Sequence, residues 1–145
     1  MNSEKEVLLF TKEFPFRLFH ACGRINAIPL LHWHDCLELN FVRSGTGTNI
    51  ISDTQYEMKS GQIYIINNNE HHYAFSDGPL DILVMVFEPF FIWQNTTFDY
   101  EYLKPFFERN INFCNLIDVD NPFVGQIKSL MEEIEKEYVE QSPGY

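Results

Sequence analysis

The chain has 145 residues, of which 45% are hydrophobic and 16% aromatic, a composition that excludes a disordered protein. Its 21 acidic residues outnumber its 10 basic ones and give a net charge of −11, so the chain alone is not expected to bind nucleic acid. Three widely spaced cysteines without a CxxC pair argue against a disulfide framework and favour a cytoplasmic protein. The short apolar run at 7–10 fits neither a signal peptide nor a membrane span.

The region from about Phe16 to Pro89 has the pattern of short strands separated by turns. Turn sequences such as SGTG, SGQ and DGP recur at the spacing of roughly eight to twelve residues that is typical of β-sandwiches and barrels. We therefore predict one mainly-β domain. The predicted strands are FRLFHAC, LELNFVR, TNIISD, YEMK, QIYIIN, HYAFS and DILVMVFE.

After Pro89 the pattern changes. Residues 90–110 mix aromatic and charged side chains and predict an irregular or partly helical cover, and residues 111–119 predict one further strand. A helix is predicted from about Asn121 to Gln141, with Asn121 as the N-cap and Pro122 at the first helical position. Its apolar stripe either covers the β-domain or pairs with its copy in a dimer. The stripe consists of Ile127, Leu130, Met131, Ile134 and Tyr138.

The stretch HWHDCLE places three possible metal ligands close together. His32 and His34 are two residues apart, so in a strand both point to one face with Cα atoms about 6.6 Å apart. Glu38 has the same parity, but in an unbroken strand it would lie roughly 13 Å beyond His34. Shared chemistry therefore requires a bend at Asp35 and Cys36, with Glu38 opening the next strand.

The same alternation extends along the strand that follows. If Glu38 faces inward, Asn40 does too, while Leu39 and Phe41 face outward and need a cover. Asn40 is therefore a further candidate pocket residue.

A second polar cluster lies in GQIYIINNNEHHY, residues 61–73. An apolar strand leads into three asparagines, which tolerate left-handed backbone conformations. Two adjacent histidines follow, His71 and His72, and one of them should face inward. Alternation alone does not decide which.

These two stretches resemble the motifs of the cupin superfamily. The pattern His32-x-His34-x3-Glu38-x6-Gly45 is similar to the first motif, and Gly61-x10-His72 has the spacing of the second. The resemblance implies a small barrel of antiparallel strands, the double-stranded β-helix or jelly roll, with His72 as the inward histidine. Departures from the motifs occur at Asn26, Asn67, Asn69 and Ser76, where glycine, proline, glycine and asparagine are usual.

A closer resemblance covers nearly the whole chain. The segments LLHWHDCLELNFVRSGTG, GQIYIINNNEHHYAF, LVMVFEPFF and IKSLMEEIEKEYVEQSPGY are similar to the N-terminal sensor domain of AraC-type transcription regulators. This resemblance implies an effector-binding barrel over residues 1–120, a linker or dimerisation helix over residues 121–145, and a homodimer. It implies neither enzymatic activity nor membrane contact. DNA would be bound only by helix-turn-helix units that follow Tyr145, so we expect the chain to be part of a longer protein.

Three interpretations of the polar residues stay open: a metal site, a metal-free polar pocket and a structural hydrogen-bond network. A metal would be held by His32, His34, Glu38 and His72, a ligand set that suits zinc, iron, manganese or nickel. The rival to a sensor is a metal-dependent cupin enzyme, an oxygenase or isomerase, in which the ion acts as a Lewis acid. By analogy with the regulators, the effector is a small polar molecule such as a sugar. The candidate ligand-binding residues are His32, His34, Glu38, Asn40 and His72.

Overall fold

The computed structural model describes residues 3–22, 31–92, 101, 104, 106 and 113–144. The predicted cover over residues 90–110 and the departure at Asn26 lie largely or wholly outside these ranges, although residues 101, 104 and 106 are helical. The strands are β1 (Glu4–Lys5), β2 (Phe16–Cys22), β3 (His32–Trp33), β4 (Leu37–Ile51), β5 (Thr54–Lys59), β6 (Ile63–Ile66), β7 (His72–Phe75), β8 (Leu80–Phe87) and β9 (Leu116–Ile117). The helices with defined bounds are α1 (Pro89–Ile92) and α2 (Val124–Glu140).

The strands form two sheets that share β4. Sheet I follows the order β1–β3–β7–β4–β5, and sheet II follows the order β2–β8–β4–β6–β9. All pairs are antiparallel except β1 with β3. Within the described residues the ladder does not close into a ring. The predicted mainly-β, cupin-type fold followed by a C-terminal helix is confirmed.

A β-bulge in β4 marks the point where this strand passes from sheet II to sheet I. The ladder with β8 pairs Val42 with Ile82 and Ser44 with Asp81, so that Arg43 is the extra residue. Gly45 follows with φ +88°, and a Cβ there would lie 2.1 Å from the carbonyl oxygen of Pro79. A glycine is therefore required at the crossing point.

Two apolar layers lie on either side of sheet II. The layer between the sheets contains Val42, Ile51, Ile82, Val84 and Val86. The outer layer packs beneath α2 and contains Phe41, Ile63, Leu83, Met85, Val124 and Met131, with Leu39 and Ile127 at its margin. The outward orientation predicted for Leu39 and Phe41 is therefore confirmed, and α2 is their cover.

Helix α2 begins later than the sequence predicts. Its N-cap is Phe123, so Asn121 as N-cap and Pro122 at the first helical position were wrong predictions. The reason is that Asn121 forms the preceding turn, in which its Oδ1 accepts the Phe123 N–H at 3.0 Å and its carbonyl oxygen accepts the Val124 N–H at 3.1 Å. The helix ends at a left-handed Gln141, close to the predicted end.

The apolar stripe of α2 is divided between two environments. Met131 is buried on sheet II, whereas Leu130 and Ile134 are 51% and 42% exposed. The helix is thus a cover for the sheet that still presents apolar side chains outward. Within the described residues, neither helix combines the length and apolarity that a membrane crossing needs.

Candidate functional site

The chain bends at Asp35 and Cys36, between β3 and β4, and this bend brings Glu38 beside His34. The Nε2 atom of His34 lies 2.8 Å from Glu38 Oε2, and the Nε2 atom of His72 lies 3.7 Å from the same oxygen. All three residues are buried, and one ligand atom from each falls within 4.8 Å of the others. The fold thus brings together three of the four residues predicted as metal ligands.

Backbone carbonyls fix the orientation of both histidine rings. His34 Nδ1 donates to the carbonyl oxygen of Cys36 at 3.1 Å, and His72 Nδ1 donates to that of Glu70 at 2.8 Å. Because a carbonyl can only accept, both Nδ1 atoms carry a hydrogen and both Nε2 atoms turn toward Glu38. A histidine whose Nδ1–H is held by a carbonyl presents Nε2 in a fixed direction, either to a metal ion or to a carboxylate.

The carboxylate at the centre of this cluster is charged. Burial alone would raise the pKa of Glu38, but the hydrogen bond with His34 and the close approach of the His72 ring outweigh it and hold that pKa well below the ordinary range. Burial lowers the pKa of His72, but its contact with Glu38 raises it, and the net direction is upward. The buried negative charge therefore needs a positive partner, which is either an imidazolium or a bound cation.

A buried carboxylate that the sequence did not single out, Glu70, anchors the loop before His72. Its Oε2 accepts the Asn67 backbone N–H at 2.9 Å and the Asn115 Nδ2 at 2.9 Å. Asn69, which directly precedes Glu70, donates its backbone N–H to the carbonyl oxygen of His34 at 2.8 Å. Glu70 thus secures the loop that holds both histidines of the cluster.

The conformation of this loop explains one departure from the cupin motif. Asn69 has φ +59°, in the left-handed region where glycine is usual and asparagine is the next best choice. The substitution therefore keeps the backbone path of the motif.

His32 stands beside the cluster without joining it. It lies opposite His72 in the β3–β7 ladder, and the two ring centroids are 4.2 Å apart. Its Nε2 atom is 3.5 Å from an oxygen of Glu6, and its side chain is 28% exposed. Among the described residues the three-ligand group is His34, Glu38 and His72, and His32 is not in it. Glu6, directly after β1, gives His32 a carboxylate neighbour of its own, and the four-ligand set stays a prediction.

A cavity of about 450 Å³ lies between the sheets above this cluster. Its polar lining includes Glu38, Asn40, His72 and His32, all of which were predicted site residues. Its apolar wall comes from β8 and from the inner face of β2, and the N-terminal residues 4–6 and 8 border it. His34 lines a neighbouring cavity of about 520 Å³ instead, together with Cys36 and Phe10.

Several buried polar atoms in the cavity wall have no hydrogen-bond partner among the described residues. They are Asn40 Oδ1, both polar side-chain atoms of Asn49, and His72 Nε2. Each unpaired buried polar group costs free energy, and such convergent groups in an apolar pocket are typical of a ligand site.

Asn49 was missed by the sequence analysis, which applied alternation only to LELNFVR and predicted SGTG as a turn before a separate strand, TNIISD, whereas β4 runs unbroken through both. The bulge at Arg43 reverses the parity, so that odd-numbered residues such as Asn49 face inward beyond it. The glycines of SGTG inside a strand pattern were the available signal of such a bulge.

Comparison with solved structures gives neighbours of low sequence identity. A cupin protein from Bacteroides fragilis is 18% identical with a TM-score of 0.45, and the match covers 51% of this chain and 66% of that one. A Cupin 2 conserved barrel domain protein from Salinispora arenicola is 12% identical with a TM-score of 0.46, over 57% of this chain and 71% of that one. The ectoine synthase from P. lautus is 20% identical with a TM-score of 0.47, over 55% of this chain and 59% of that one. The chain thus spans less than two thirds of the length of two of these three proteins.

The match to a sequence family covers more of the chain than the matches to solved structures do. No curated protein matches the chain. The family model described as the AraC-like ligand binding domain matches residues 13–137, which run from before β2 to the last turn of α2.

Proposed function

Because the chain belongs to the family of AraC-like ligand binding domains, we propose that it is the effector-sensing domain of a transcription regulator. A small polar molecule binds in the cavity between the sheets. The observation that carries this proposal is the set of unpaired buried polar atoms in the cavity wall, above all Asn49, whose amide oxygen and nitrogen both lack a partner among the described residues. A ligand that pairs with them recovers the free energy that their burial costs.

The lining favours a hydroxyl-rich ligand such as a sugar. Asn49 offers an NH₂ group as donor and a carbonyl oxygen as acceptor, and Asn40 and His72 add further polar atoms around an apolar wall. A hydroxyl group both donates and accepts, so neighbouring hydroxyls of one small molecule can satisfy all these groups.

The remaining parts of the proposal concern the whole regulator. The protein acts as a cytoplasmic homodimer, supported by three unpaired cysteines and by the exposed apolar side chains of α2. DNA is bound by a separate helix-turn-helix domain. Effector binding shifts the population toward one arrangement of barrel and helix.

A calorimetric and thermal-shift screen of pentoses, hexoses and polyols tests the sensor function. A true effector should raise the melting temperature of the wild-type protein, by an amount equivalent to about 2.7 kcal/mol at a concentration of 100 Kd. The variant Asn49→Leu should lose this response, whereas Gln55→Leu, on an exposed position of β5, should retain it. A ligand that binds both variants equally well would place the effector site elsewhere, and a screen extended to other polar metabolites without any binder would contradict the sensor function.

A second candidate function, a metal-dependent cupin enzyme, is favoured by the convergence of His34, Glu38 and His72. The donor set fits a transition metal, because two Nε2 atoms and a carboxylate face one another and both Nδ1 atoms are held by carbonyls. These three residues would hold the ion, which would supply Lewis-acid chemistry to a substrate in the cavity.

Cobalt binding distinguishes the two candidates without an activity assay. If the cluster is a metal site, stoichiometric Co²⁺ should give a visible absorption band and raise the melting temperature. The variants Glu38→Gln and His72→Gln should abolish both effects, and the neighbouring exposed His71→Gln should keep them. Wild-type protein without a band or a thermal shift would leave the metal-free sensor as the function.

A further inference from the structure

A cluster of charged side chains lies on the face of sheet II opposite the cavity, and we call it the ionic cluster. It consists of His20 on β2, Asp81 on β8, Arg43 at the bulge of β4, and Glu135 on α2. The two ring nitrogens of His20 lie 2.7 Å from Asp81 Oδ1 and 2.7 Å from Glu135 Oε1. Arg43 donates to both oxygens of Glu135, at 2.5 Å and 3.2 Å. Three strands and the helix thus meet in one set of charge-assisted hydrogen bonds.

Glu135 lies on the side of α2 that packs on the sheet. Its side chain is only 19% exposed, and it stands between Met131 and Tyr138, which are apolar contacts of the same side. A carboxylate in this position costs desolvation energy unless its partners are in place. The seating of α2 on sheet II therefore depends on where β2 and β4 hold His20 and Arg43.

The strands that carry these partners are also walls of the cavity. Phe19 and Ala21 line the cavity from β2, and His20 between them projects to the opposite face. In β4, Arg43 follows the buried Val42 and precedes Gly45, where the strand crosses between the sheets. Asn40, three residues before Arg43, lines the cavity. A movement of either strand that accommodates a ligand also moves a hydrogen-bond partner of Glu135.

We propose that the ionic cluster couples the cavity to α2, so that the state of the cavity wall and the attachment of the helix change together. This inference rests on the proposed sensor function, for which it gives the route of signalling. Coupling between two sites is reciprocal, so loosening the helix must also loosen the cavity wall. That reciprocity allows a test without any ligand.

Hydrogen exchange followed by mass spectrometry provides the test, with Glu135→Gln as the perturbation. Its matched control is Glu132→Gln on the same helix, where the carboxylate makes only a 3.9 Å surface contact with Lys128. Exchange in α2 and in β2 should both increase about 5-fold or more in Glu135→Gln. Exchange in β5, which lies in sheet I away from the cluster, should stay unchanged, and Glu132→Gln should behave as wild type.

Two results would overturn the coupling. One is faster exchange of α2 with β2 unchanged, which would make Glu135 a local anchor of the helix. The other is an equal increase in β2 and β5, which would indicate a general loss of stability. Arg43→Gln reports on the same bonds if Glu135→Gln does not fold, and the same outcomes apply to it. Because no ligand is added, failure here would leave an effector found by calorimetry in place and would remove only the proposed route.

Discussion

Replacing Asn49 by leucine should make the unliganded domain more stable and at the same time unable to bind its effector. The side chain of Asn49 is 1% exposed, and neither its Oδ1 nor its Nδ2 has a partner among the described residues. Its position in the wall of a cavity of about 450 Å³ leaves room for the branched leucine side chain. A group retained in so unfavourable a state is expected to serve binding rather than folding.

The size of the effect follows from the cost of an unpaired amide. Mutational data put the burial of such a group at about 1–3 kcal/mol, and leucine removes that penalty. The free energy of unfolding should therefore rise by about 1–3 kcal/mol. For a chain of this size, ~1 kcal/mol corresponds to roughly 3 °C in melting temperature, so the midpoint should rise by about 3–10 °C.

The same substitution at Asn115 provides a control of opposite sign. Asn115 Nδ2 donates to the carbonyl oxygen of Ile65 at 2.8 Å and to Glu70 Oε2 at 2.9 Å. Leucine there leaves both acceptors short of a donor and should lower stability by about 1–3 kcal/mol. Urea denaturation followed by circular dichroism measures both variants. The reasoning is refuted if Asn49→Leu unfolds at or below the wild-type urea concentration while Asn115→Leu loses stability as expected.

Three further predictions concern pH, association and DNA. Hydrogen bonds to Asp81 and then to Glu135 raise the pKa of His20, and burial lowers it by less. The Arg43 guanidinium lies 3.5 Å from His20 Nε2. The stability that the raised pKa gives is fully present below the unfolded pKa of about 6.5 and is lost as pH rises through the folded value. Urea midpoints should therefore fall as the pH rises above about 6.5 in wild type and in His71→Gln, and they should fall less in His20→Gln, where the raised pKa of His72 still contributes. Equal slopes in all three proteins would contradict this. Light scattering at tens of micromolar should give a dimer for wild type and a folded monomer for Leu130→Glu combined with Ile134→Glu, whereas monomeric wild type would leave α2 as a cover only. The chain should not shift duplex DNA at physiological salt, because its net charge of −11 opposes binding, and micromolar binding in a gel shift would contradict that expectation.

Much of the fold could be predicted because the alternation of side chains in a strand does not depend on what the strand pairs with. Asn40 lines the cavity while Leu39 and Phe41 pack beneath α2, as alternation from Glu38 predicts. The bend before Glu38 could be predicted as well, because Glu38 lies too far along an unbroken strand to reach His34.

Contacts between distant parts of the chain could not be predicted in this way. The pairing of β1 with β3 brings Glu6 near His32, and nothing in the local sequence of either residue indicates that meeting. The sequence did not indicate that Glu70 is buried, because a glutamate next to a turn is usually exposed. Here Asn115 and Asn67 donate hydrogen bonds to its carboxylate. Both contacts decide how the predicted histidines are held.

The bulge at Arg43 links the cavity to the helix through a single irregularity of β4. Asn40 and Asn49 have opposite parity, so in a regular strand only one of them could face the cavity. The extra residue Arg43 shifts the alternation by one position, so that Asn49 faces the cavity as well. The same extra residue lies outside the β8 ladder and projects its guanidinium to Glu135 on the other face. A strand without the bulge would lose one polar wall of the cavity and one anchor of α2 together, which is why the proposed coupling between cavity and helix is located at this point of the fold.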